Sequence, residues 1–147
     1  MTKPIVVFDG ECALCNGFVS WLIRHDNDGV FLIAGSNGDV GRAVVAHAGL
    51  EYAMTQSTIV VCDGSRGLVR SDAVLAIMQR LGWPWKAAVA GRLLPRRLRD
   101  AVYAAIAKRR ARIDAEDPAC GVPPQELVEL WRSRLASADD IAGTRRP

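Results

Sequence analysis

Residues 5–16 read Ile-Val-Val-Phe-Asp-Gly-Glu-Cys-Ala-Leu-Cys-Asn. The first four residues are an unbroken apolar run, which is typical of a β-strand covered on both faces. Apolar residues then recur at helical spacing from Leu14 to Trp21, so Cys12 and Cys15 lie where the strand gives way to a helix. A helix N-terminus stabilises a thiolate, and a separation of two residues allows the two cysteines to form a disulfide. The motif therefore predicts thiol–disulfide chemistry.

The rest of the chain predicts an α/β domain around that motif. Apolar runs indicate two more strands, over residues 30–34 and 58–62, which we expect to share a mostly parallel sheet with the first strand. A short antiparallel strand is expected at residues 68–70, followed by a helix that Ser71 caps. The order β-α-β-α-β-β-α, with the cysteine pair at the first strand-to-helix junction, predicts a thioredoxin-like three-layer sandwich.

The C-terminal part predicts a helical extension of this core. We expect one domain over residues 1–136, with a thioredoxin-like core over about 4–83, an extension over about 84–136 and a flexible tail over 137–147. The expected helices of the extension span residues 85–93, then 95–112, and a last helix from Pro124. That last helix is expected to bury Leu127, Val128, Trp131 and Leu135. Trp83 and Trp85 either form a hydrophobic ridge beside a binding surface or, as is more common, pack the extension onto the sheet.

Composition and charge narrow the classes of function. The chain has 147 residues and a net charge of +3, but residues 86–112 carry nine basic side chains against Asp100 alone. Such a basic segment can attract an acidic protein, a nucleic acid or an anionic membrane, although a solvated helix face is the simpler interpretation. The N-terminal apolar run is too short for a signal peptide or a membrane span. We therefore expect a cytoplasmic protein with no membrane span and no nucleic-acid partner.

Several separated motifs resemble those of the DCC family of predicted thiol-disulfide oxidoreductases, which is named for an Asp-x-x-Cys-x-x-Cys signature. Residues 9–15 carry that signature. The resemblance covers residues 4–124 and continues through Ile23-Arg24, Arg70-Ser71-Asp72-Ala73, Leu94-Pro95, Leu98-Arg99-Asp100-Ala101-Val102-Tyr103 and Cys120-Gly121-Val122-Pro123. It departs from the family at residues 108–112, where the usual aromatic is lacking, and before Cys120, where an acidic stretch replaces a glycine. The resemblance implies a dithiol–disulfide oxidoreductase.

The residue types in the motif suggest a role for each member. Cys12 precedes the helix and is expected to be the nucleophile, whereas Cys15 lies one turn in and is expected to be the resolving thiol. Asp9, at the end of the strand, either accepts a proton from Cys15 or caps the loop through its backbone contacts. Gly10 permits a close approach of the substrate. The substrate is expected to be a disulfide- or dithiol-bearing protein or a small thiol.

One element that thioredoxin-like proteins usually have is missing from the sequence. No proline precedes the third strand, so Ser57 or Thr58 would stand beside the cysteine pair. We expect Ser57, Thr58 and Gly10 to contact the substrate, with the backbone of the first two pairing with a bound peptide.

Two alternatives remain open on the sequence. In the first, the protein is a thioredoxin-like binding module that docks an acidic partner through its basic helices. In the second, it binds zinc through Cys12, Cys15 and two of Cys62, Cys120, His25 and His47, although no second closely spaced pair exists. The oxidoreductase interpretation requires no metal or organic cofactor. Cys62 ends an apolar strand, and its simplest role is that of a small buried residue.

Overall fold

A computed structural model describes residues 3–9, 13–53, 55, 58–64, 66–114 and 128–142. The described residues form one sheet of four strands in the order β2-β1-β3-β4. The strands are β1 (Ile5–Phe8), β2 (Leu32–Gly35), β3 (Val60–Asp63) and β4 (Arg66–Val69). The helices are α1 (Ala13–His25), α2 (Asp39–His47), α3 (Arg70–Leu81), a 3₁₀ helix (Trp85–Leu93), α4 (Arg96–Asp114), α5 (Val128–Ser133) and α6 (Ala138–Ala142).

The central strand β1 is buried on both faces, as its apolar sequence predicts. It pairs in parallel with β2 and antiparallel with β3, and β4 is antiparallel to β3. The expectation of a mostly parallel sheet is therefore wrong, because β3 runs against both of its neighbours. An apolar run shows that a strand is covered on both faces, but it does not encode the direction of the strand.

Two apolar clusters lie on opposite faces of the sheet. Side chains alternate along a strand, so Val6 and Phe8 point into one cluster while Ile5 and Val7 point into the other. The first cluster is covered by α1 and α3 and includes Trp131 of α5. The second is covered by α2. These three layers, with the strand order above, confirm the predicted thioredoxin-like α/β fold.

The turn after α1 is held by a buried carboxylate. Asp26 accepts hydrogen bonds from the backbone N–H groups of Val30 and Phe31, at 2.8 and 2.9 Å. Its second oxygen also pairs with the guanidinium of Arg134 at 2.9 Å. Arg134 in addition donates to the backbone carbonyl of Asp26 at 3.1 Å. Arg134, from a distant part of the chain, therefore stabilises the turn before β2.

The helical extension follows the predicted order with local differences. Residues 85–93 are helical as predicted, in 3₁₀ form, and α4 begins directly after Pro95. Trp85 packs edge-on against Trp21 of α1 with ring centroids 4.9 Å apart, which confirms its role as an anchor. Trp83 is 76% exposed, so the same expectation is wrong for it.

The C-terminal helices also differ from the sequence-based expectation. Trp131 is buried against Phe8 as predicted. Leu135 is exposed instead of buried, because it lies beyond the end of α5 and forms a bridge with Ile33 at the edge of the sheet. Where a loose tail was expected, residues 138–142 form α6, and Ile141 packs against the second cluster. Pro124 and Leu127 lie outside the described residues, and the division into domains stays a prediction.

Candidate functional site

At one end of the sheet lie the ends of the strands that the sequence predicted to surround the cysteine pair. Because β3 is antiparallel to β1, the end of β1 and the start of β3 meet there, with Val7 opposite Val60. The end of β4 lies there as well, since Val60 also pairs with Val69. Extending the β1–β3 register by two residues places Asp9 opposite Thr58. Asp9, Thr58 and the start of α3 therefore lie at the same end of the sheet.

The cysteine motif begins at this end of the sheet, because its first residue, Asp9, directly follows β1. Asp9 follows β1 and is half-buried, and Ala13 is the first residue of α1. The strand before the motif and the helix after it are thus confirmed. Gly10 and Cys12 lie outside the described residues, and Cys15 belongs to α1 without a described side chain. The roles expected for Asp9, Gly10, Cys12 and Cys15 stay predictions.

Thr58 is buried, and its hydroxyl lies among three protein groups. The hydroxyl oxygen is 2.8 Å from the backbone nitrogen of Arg70 and 3.1 Å from the phenolic oxygen of Tyr103. It also donates to the backbone carbonyl of Ile59 at 3.0 Å. The phenolic oxygen of Tyr103 in turn accepts the N–H of Ile59 at 3.2 Å. We refer to Thr58, Ile59, Arg70 and Tyr103 as the hydroxyl cluster.

A consistent arrangement of protons satisfies every member of the hydroxyl cluster. A threonine hydroxyl has one proton and two lone pairs. If that proton points to the carbonyl oxygen of Ile59, the hydroxyl oxygen of Thr58 accepts one hydrogen bond from the N–H of Arg70 and one from the hydroxyl of Tyr103. The side chain of Thr58 therefore fixes the loop before β3. The expected backbone pairing of Thr58 with a peptide stays a prediction, as does the role of Ser57, which lies outside the described residues.

The start of α3 explains why Thr58 is needed at this position. Helix α3 begins at Arg70, directly after β4, and Arg70 has a left-handed backbone with φ of 55°. For a residue other than glycine this conformation costs about 1–3 kcal/mol and persists only where the surroundings enforce it. The hydrogen bond from the N–H of Arg70 to Thr58 supplies part of that enforcement.

Ser71 does not cap α3, contrary to the sequence-based expectation. The residue preceding the helix is Val69, which makes no side-chain capping bond. The first N–H of the helix, that of Arg70, donates instead to Thr58, which lies in the loop before β3. The hydroxyl of Ser71 instead donates to Asp100 of α4 at 2.6 Å. This bond joins the beginning of α3 to the second turn of α4.

Charged side chains complete the connection between α3 and α4. Asp72 pairs with Arg99 at 3.0 Å and with Arg96 at 3.2 Å, and Arg96 also approaches Asp100 at 3.7 Å. The hydrogen bond from Ser71, supported by the positive charge of Arg96, holds the pKa of Asp100 below its ordinary value. Part of the basic segment is thus neutralised within the protein.

No role was predicted from the sequence for Tyr103, Arg99 or Asp100. These three residues lie within one motif of the family resemblance, and Arg70, Ser71 and Asp72 lie within another. In the structure the two motifs contact each other directly, across α3 and α4. The presence of both motifs in the sequence indicated that these residues matter, but it did not show which of them contact each other.

Cys62 is the buried free cysteine that the sequence predicted. Its sulfur lies 3.8 Å from the carbonyl oxygen of Val44, in the cluster beneath α2, and burial raises the pKa of the thiol to about 11. His25 lies on α1, and its ring centroid is 4.9 Å from that of Trp21 and 5.2 Å from that of Trp85. Cys62 and His25 are therefore on opposite sides of the sheet, so they cannot share a zinc ion. Within the described ranges no three potential metal ligands come together, while Cys12 and Cys120 lie outside those ranges.

The strand order and the motif at the first strand-to-helix junction define a thioredoxin-like protein with a Cys-x-x-Cys sequence. The family model of DCC1-like thiol-disulfide oxidoreductases matches residues 6–116, and the chain belongs to that family.

Two relatives match over most of this chain. An uncharacterized protein of Bacillus subtilis, YuxK, is 30% identical over 127 residues, which are 86% of this chain and 92% of the relative. A DCC family protein of Arabidopsis thaliana, named as chloroplastic, is 28% identical over 119 residues, which are 80% of this chain and 69% of the relative. No solved structure matches the chain significantly.

Helix length and composition also bear on membrane association. Among the residues that the structure covers, no helix is both long enough and apolar enough to cross a bilayer.

Proposed function

We propose that the protein is a thiol-disulfide oxidoreductase that uses Cys12 as the nucleophile and Cys15 as the resolving thiol. The observation that carries this proposal is the match to the DCC1-like family over residues 6–116, a range that includes both cysteines. The strand β1 and the helix α1 on either side of the motif support it, because a thiolate at a helix N-terminus is stabilised by the helix dipole.

The reaction transfers two electrons from the dithiol to the substrate. The Cys12 thiolate attacks one sulfur of a substrate disulfide, a bond forms between the two sulfurs, and the other substrate sulfur leaves as a thiolate. The Cys15 thiolate then attacks the sulfur of Cys12 and releases the second substrate sulfur. The products are a reduced substrate and a Cys12–Cys15 disulfide. A dithiol reductant or a small thiol restores the reduced protein by the reverse sequence.

Asp9 is the proposed acceptor of the Cys15 proton during the second step. Asp9 directly follows β1, so this acidic residue lies at the end of the sheet where the motif begins. The hydroxyl cluster fixes the loop on the opposing strand, where Ser57 and Thr58 are proposed to pair with a bound substrate through their backbone. We propose a protein disulfide or a small disulfide as substrate and a cytoplasmic site of action.

A redox titration tests the proposal directly. The purified protein is equilibrated in glutathione and dithiothreitol buffers, and the state of each cysteine is read by differential alkylation and mass spectrometry. We expect a two-electron transition between Cys12 and Cys15 with a midpoint of about −270 to −200 mV, the range of working thioredoxin- and glutaredoxin-like couples.

Two variants separate the proposed pair from an ordinary cysteine. Cys12→Ser is expected to abolish reduction of hydroxyethyl disulfide, whereas Cys62→Ser is expected to retain it, because Cys62 is buried and its raised pKa keeps it as an unreactive thiol. If no disulfide forms between Cys12 and Cys15 at any potential, or if Cys12→Ser keeps full activity, the proposal fails.

A further inference from the structure

A groove of about 370 Å³ lies between α3, the 3₁₀ helix and α4. Its walls are almost entirely apolar, with Val74 and Leu75 on α3 facing Leu98, Val102 and Ile106 on α4. The volume is within the range of sites that bind ligands or the side chains of a partner.

The α4 wall of the groove has an exposed apolar face with a regular spacing. Leu98, Val102 and Ile106 recur every four residues and are 50–55% exposed. Leu94, just before the helix, continues the row and is 49% exposed. The eight residue steps from Leu98 to Ile106 span about 12 Å at 1.5 Å per residue, which is about two turns of a helix. Such a row matches the apolar face of a second helix laid along the groove.

The groove leads to the candidate site. Tyr103 and Ser71 are among the residues that line the groove, and the phenolic oxygen of Tyr103 is hydrogen-bonded to Thr58 and Ile59 in the hydroxyl cluster. A segment that lies in the groove therefore passes beside the loop that stands opposite Asp9. The groove and Asp9, the first residue of the cysteine motif, therefore lie at the same end of the sheet.

The surroundings of the groove are positively charged. Arg92, Arg97 and Lys108 are exposed on the 3₁₀ helix and α4, which border the groove, whereas Arg99 in the wall is paired with Asp72. Asp72 and Asp100, the acidic residues at the α3–α4 contact, are already paired with Arg96 and Arg99. An occupant with apolar side chains toward the groove and acidic side chains around them would complement both features.

We propose that this groove binds an amphipathic, acidic segment of the protein whose disulfide is exchanged. The identity of the occupant as a substrate rests on the proposed function, whereas the binding itself does not. Leucine-like side chains at four-residue spacing enter the groove, and glutamate or aspartate side chains beside them face the basic residues of the 3₁₀ helix and α4.

Two other occupants fit less well. A bilayer surface is flat, whereas Leu98 and Val102 face Leu75 across a concave groove. A second copy of the chain in a two-fold contact would bring two segments of +8 together, since residues 86–112 carry nine basic side chains and one acidic side chain. An acidic peptide meets neither objection.

Binding is measured first, without any cysteine in the probe. The probe is a fluorescein-labelled helical peptide of about 14 residues with leucines every fourth position and glutamates on the flanks. Its control has lysines in place of the glutamates. Fluorescence anisotropy is expected to show that the glutamate peptide binds at least about tenfold more tightly at low salt, and that the difference shrinks as salt is added. Equal binding of the two peptides, or tighter binding of the lysine peptide, overturns the proposal.

Matched variants place the bound peptide in the groove. Leu98→Ser and Val102→Ser each remove one apolar side chain of the wall and are expected to raise Kd about tenfold. Leu93→Ser is the control, because Leu93 is 90% exposed but does not line the groove. Circular dichroism melting curves establish that all three variants fold. If Leu93→Ser weakens binding as much as Val102→Ser, the groove is not the binding site.

Activity assays distinguish failure of this proposal from failure of the proposed function. The glutamate peptide is given a disulfide at one end, and its reduction is compared with that of hydroxyethyl disulfide. We expect Val102→Ser to lower kcat/KM about tenfold for the peptide disulfide and to leave the small disulfide unchanged. Equal effects on both substrates overturn the docking proposal alone. Groove-dependent peptide binding without reduction of either disulfide overturns the proposed function and leaves the binding site standing.

The same variants test the other occupants. If wild-type protein sediments with phosphatidylglycerol vesicles through Leu98 and Val102 and ignores the glutamate peptide, a membrane is the occupant and the proposal is overturned. A concentration-dependent dimer that Val102→Ser dissolves, seen by analytical ultracentrifugation, would overturn it in favour of a second copy.

Discussion

Helices α4 and α5 both extend the thioredoxin-like core, but they are attached in different ways. Helix α5 places Trp131 in the apolar cluster against Phe8, and Arg134 just beyond it pairs with the buried Asp26. Helix α4 is joined to α3 by hydroxyl groups and ion pairs, while its apolar row from Leu98 to Ile106 faces a groove.

This contrast separates a structural attachment from a surface that is available for binding. An apolar side chain at the α5 contact is already covered by the protein's own core. The apolar side chains of the α4 row, by contrast, remain half-exposed. Substitutions should therefore reduce stability most around α5 and least on the groove face of α4, with the polar contacts of α4 between these extremes.

The largest effect is expected from Asp26→Ala. This substitution leaves the guanidinium of Arg134 partly buried without its partner and removes the acceptor of two backbone N–H groups, which should lower the free energy of unfolding by about 3–5 kcal/mol. Urea unfolding measures the loss. The control is Asp28→Ala, an exposed acidic residue of the same turn, which should change stability by less than about 0.5 kcal/mol. Similar losses for both variants would show that the Asp26–Arg134 pair does not secure α5.

A smaller effect is expected from Tyr103→Phe, which tests the polar attachment of α4. The loss of the phenolic oxygen leaves the N–H of Ile59 without its acceptor and should cost about 1–3 kcal/mol in unfolding free energy. Tyr52→Phe is the matched control, since the hydroxyl of Tyr52 makes an exposed hydrogen bond with Asn37. A loss for Tyr103→Phe no greater than that for Tyr52→Phe would contradict the role given to the hydroxyl cluster.

The contact between α3 and α4 should also depend on pH. The folded protein lowers the pKa of Asp100, chiefly through the hydrogen bond from Ser71. The charged carboxylate therefore stabilises the fold above its unfolded pKa of about 3.9, and this contribution is lost as the pH falls through the lower folded-state value. Asp100→Asn should be less stable than wild type at neutral pH, and the difference should narrow in acid. Urea unfolding midpoints across this range test it; a difference that stays constant would contradict the assignment.

The smallest effect on stability is expected from Leu98→Ala, because the side chain is half-exposed and its removal creates no buried cavity. We expect a change within about 0.5 kcal/mol. Leu75→Ala, on the buried wall of the same groove, should cost about 2–5 kcal/mol. Thermal and urea unfolding of this pair sharpen the comparison. A large loss for Leu98→Ala would show that its side chain already serves the fold.

The local parts of the fold could be predicted from the sequence because local patterns determine them. The apolar run of β1, the helical spacing of α1 and the helix after Pro95 were all found in this way. The direction of β3 was not, since an apolar run reads the same in both directions. The expected cap by Ser71 failed because Asp100, 29 residues later, accepts its hydroxyl.

The candidate site shows the same limit more strongly. The motif that contains Cys12 and Cys15 is contiguous and could be recognised as a unit. Tyr103 stands 45 residues from Thr58, and no spacing rule relates them. The resemblance marked the segment around Tyr103, but only the packing of α4 against α3 and the β3 loop shows what its hydroxyl contacts.

The bridge between Ile33 and Leu135 bears on aggregation. β2 is an outer strand of the sheet, and the edge of such a strand can recruit a strand from another molecule. Here the N–H of Ile33 donates to the carbonyl of Arg134, and its carbonyl accepts from Ala136. During synthesis this position stays open until residues 134–136 have left the ribosome. The nascent chain therefore carries an open edge at Ile33 for as long as residues 134–136 remain inside the ribosome.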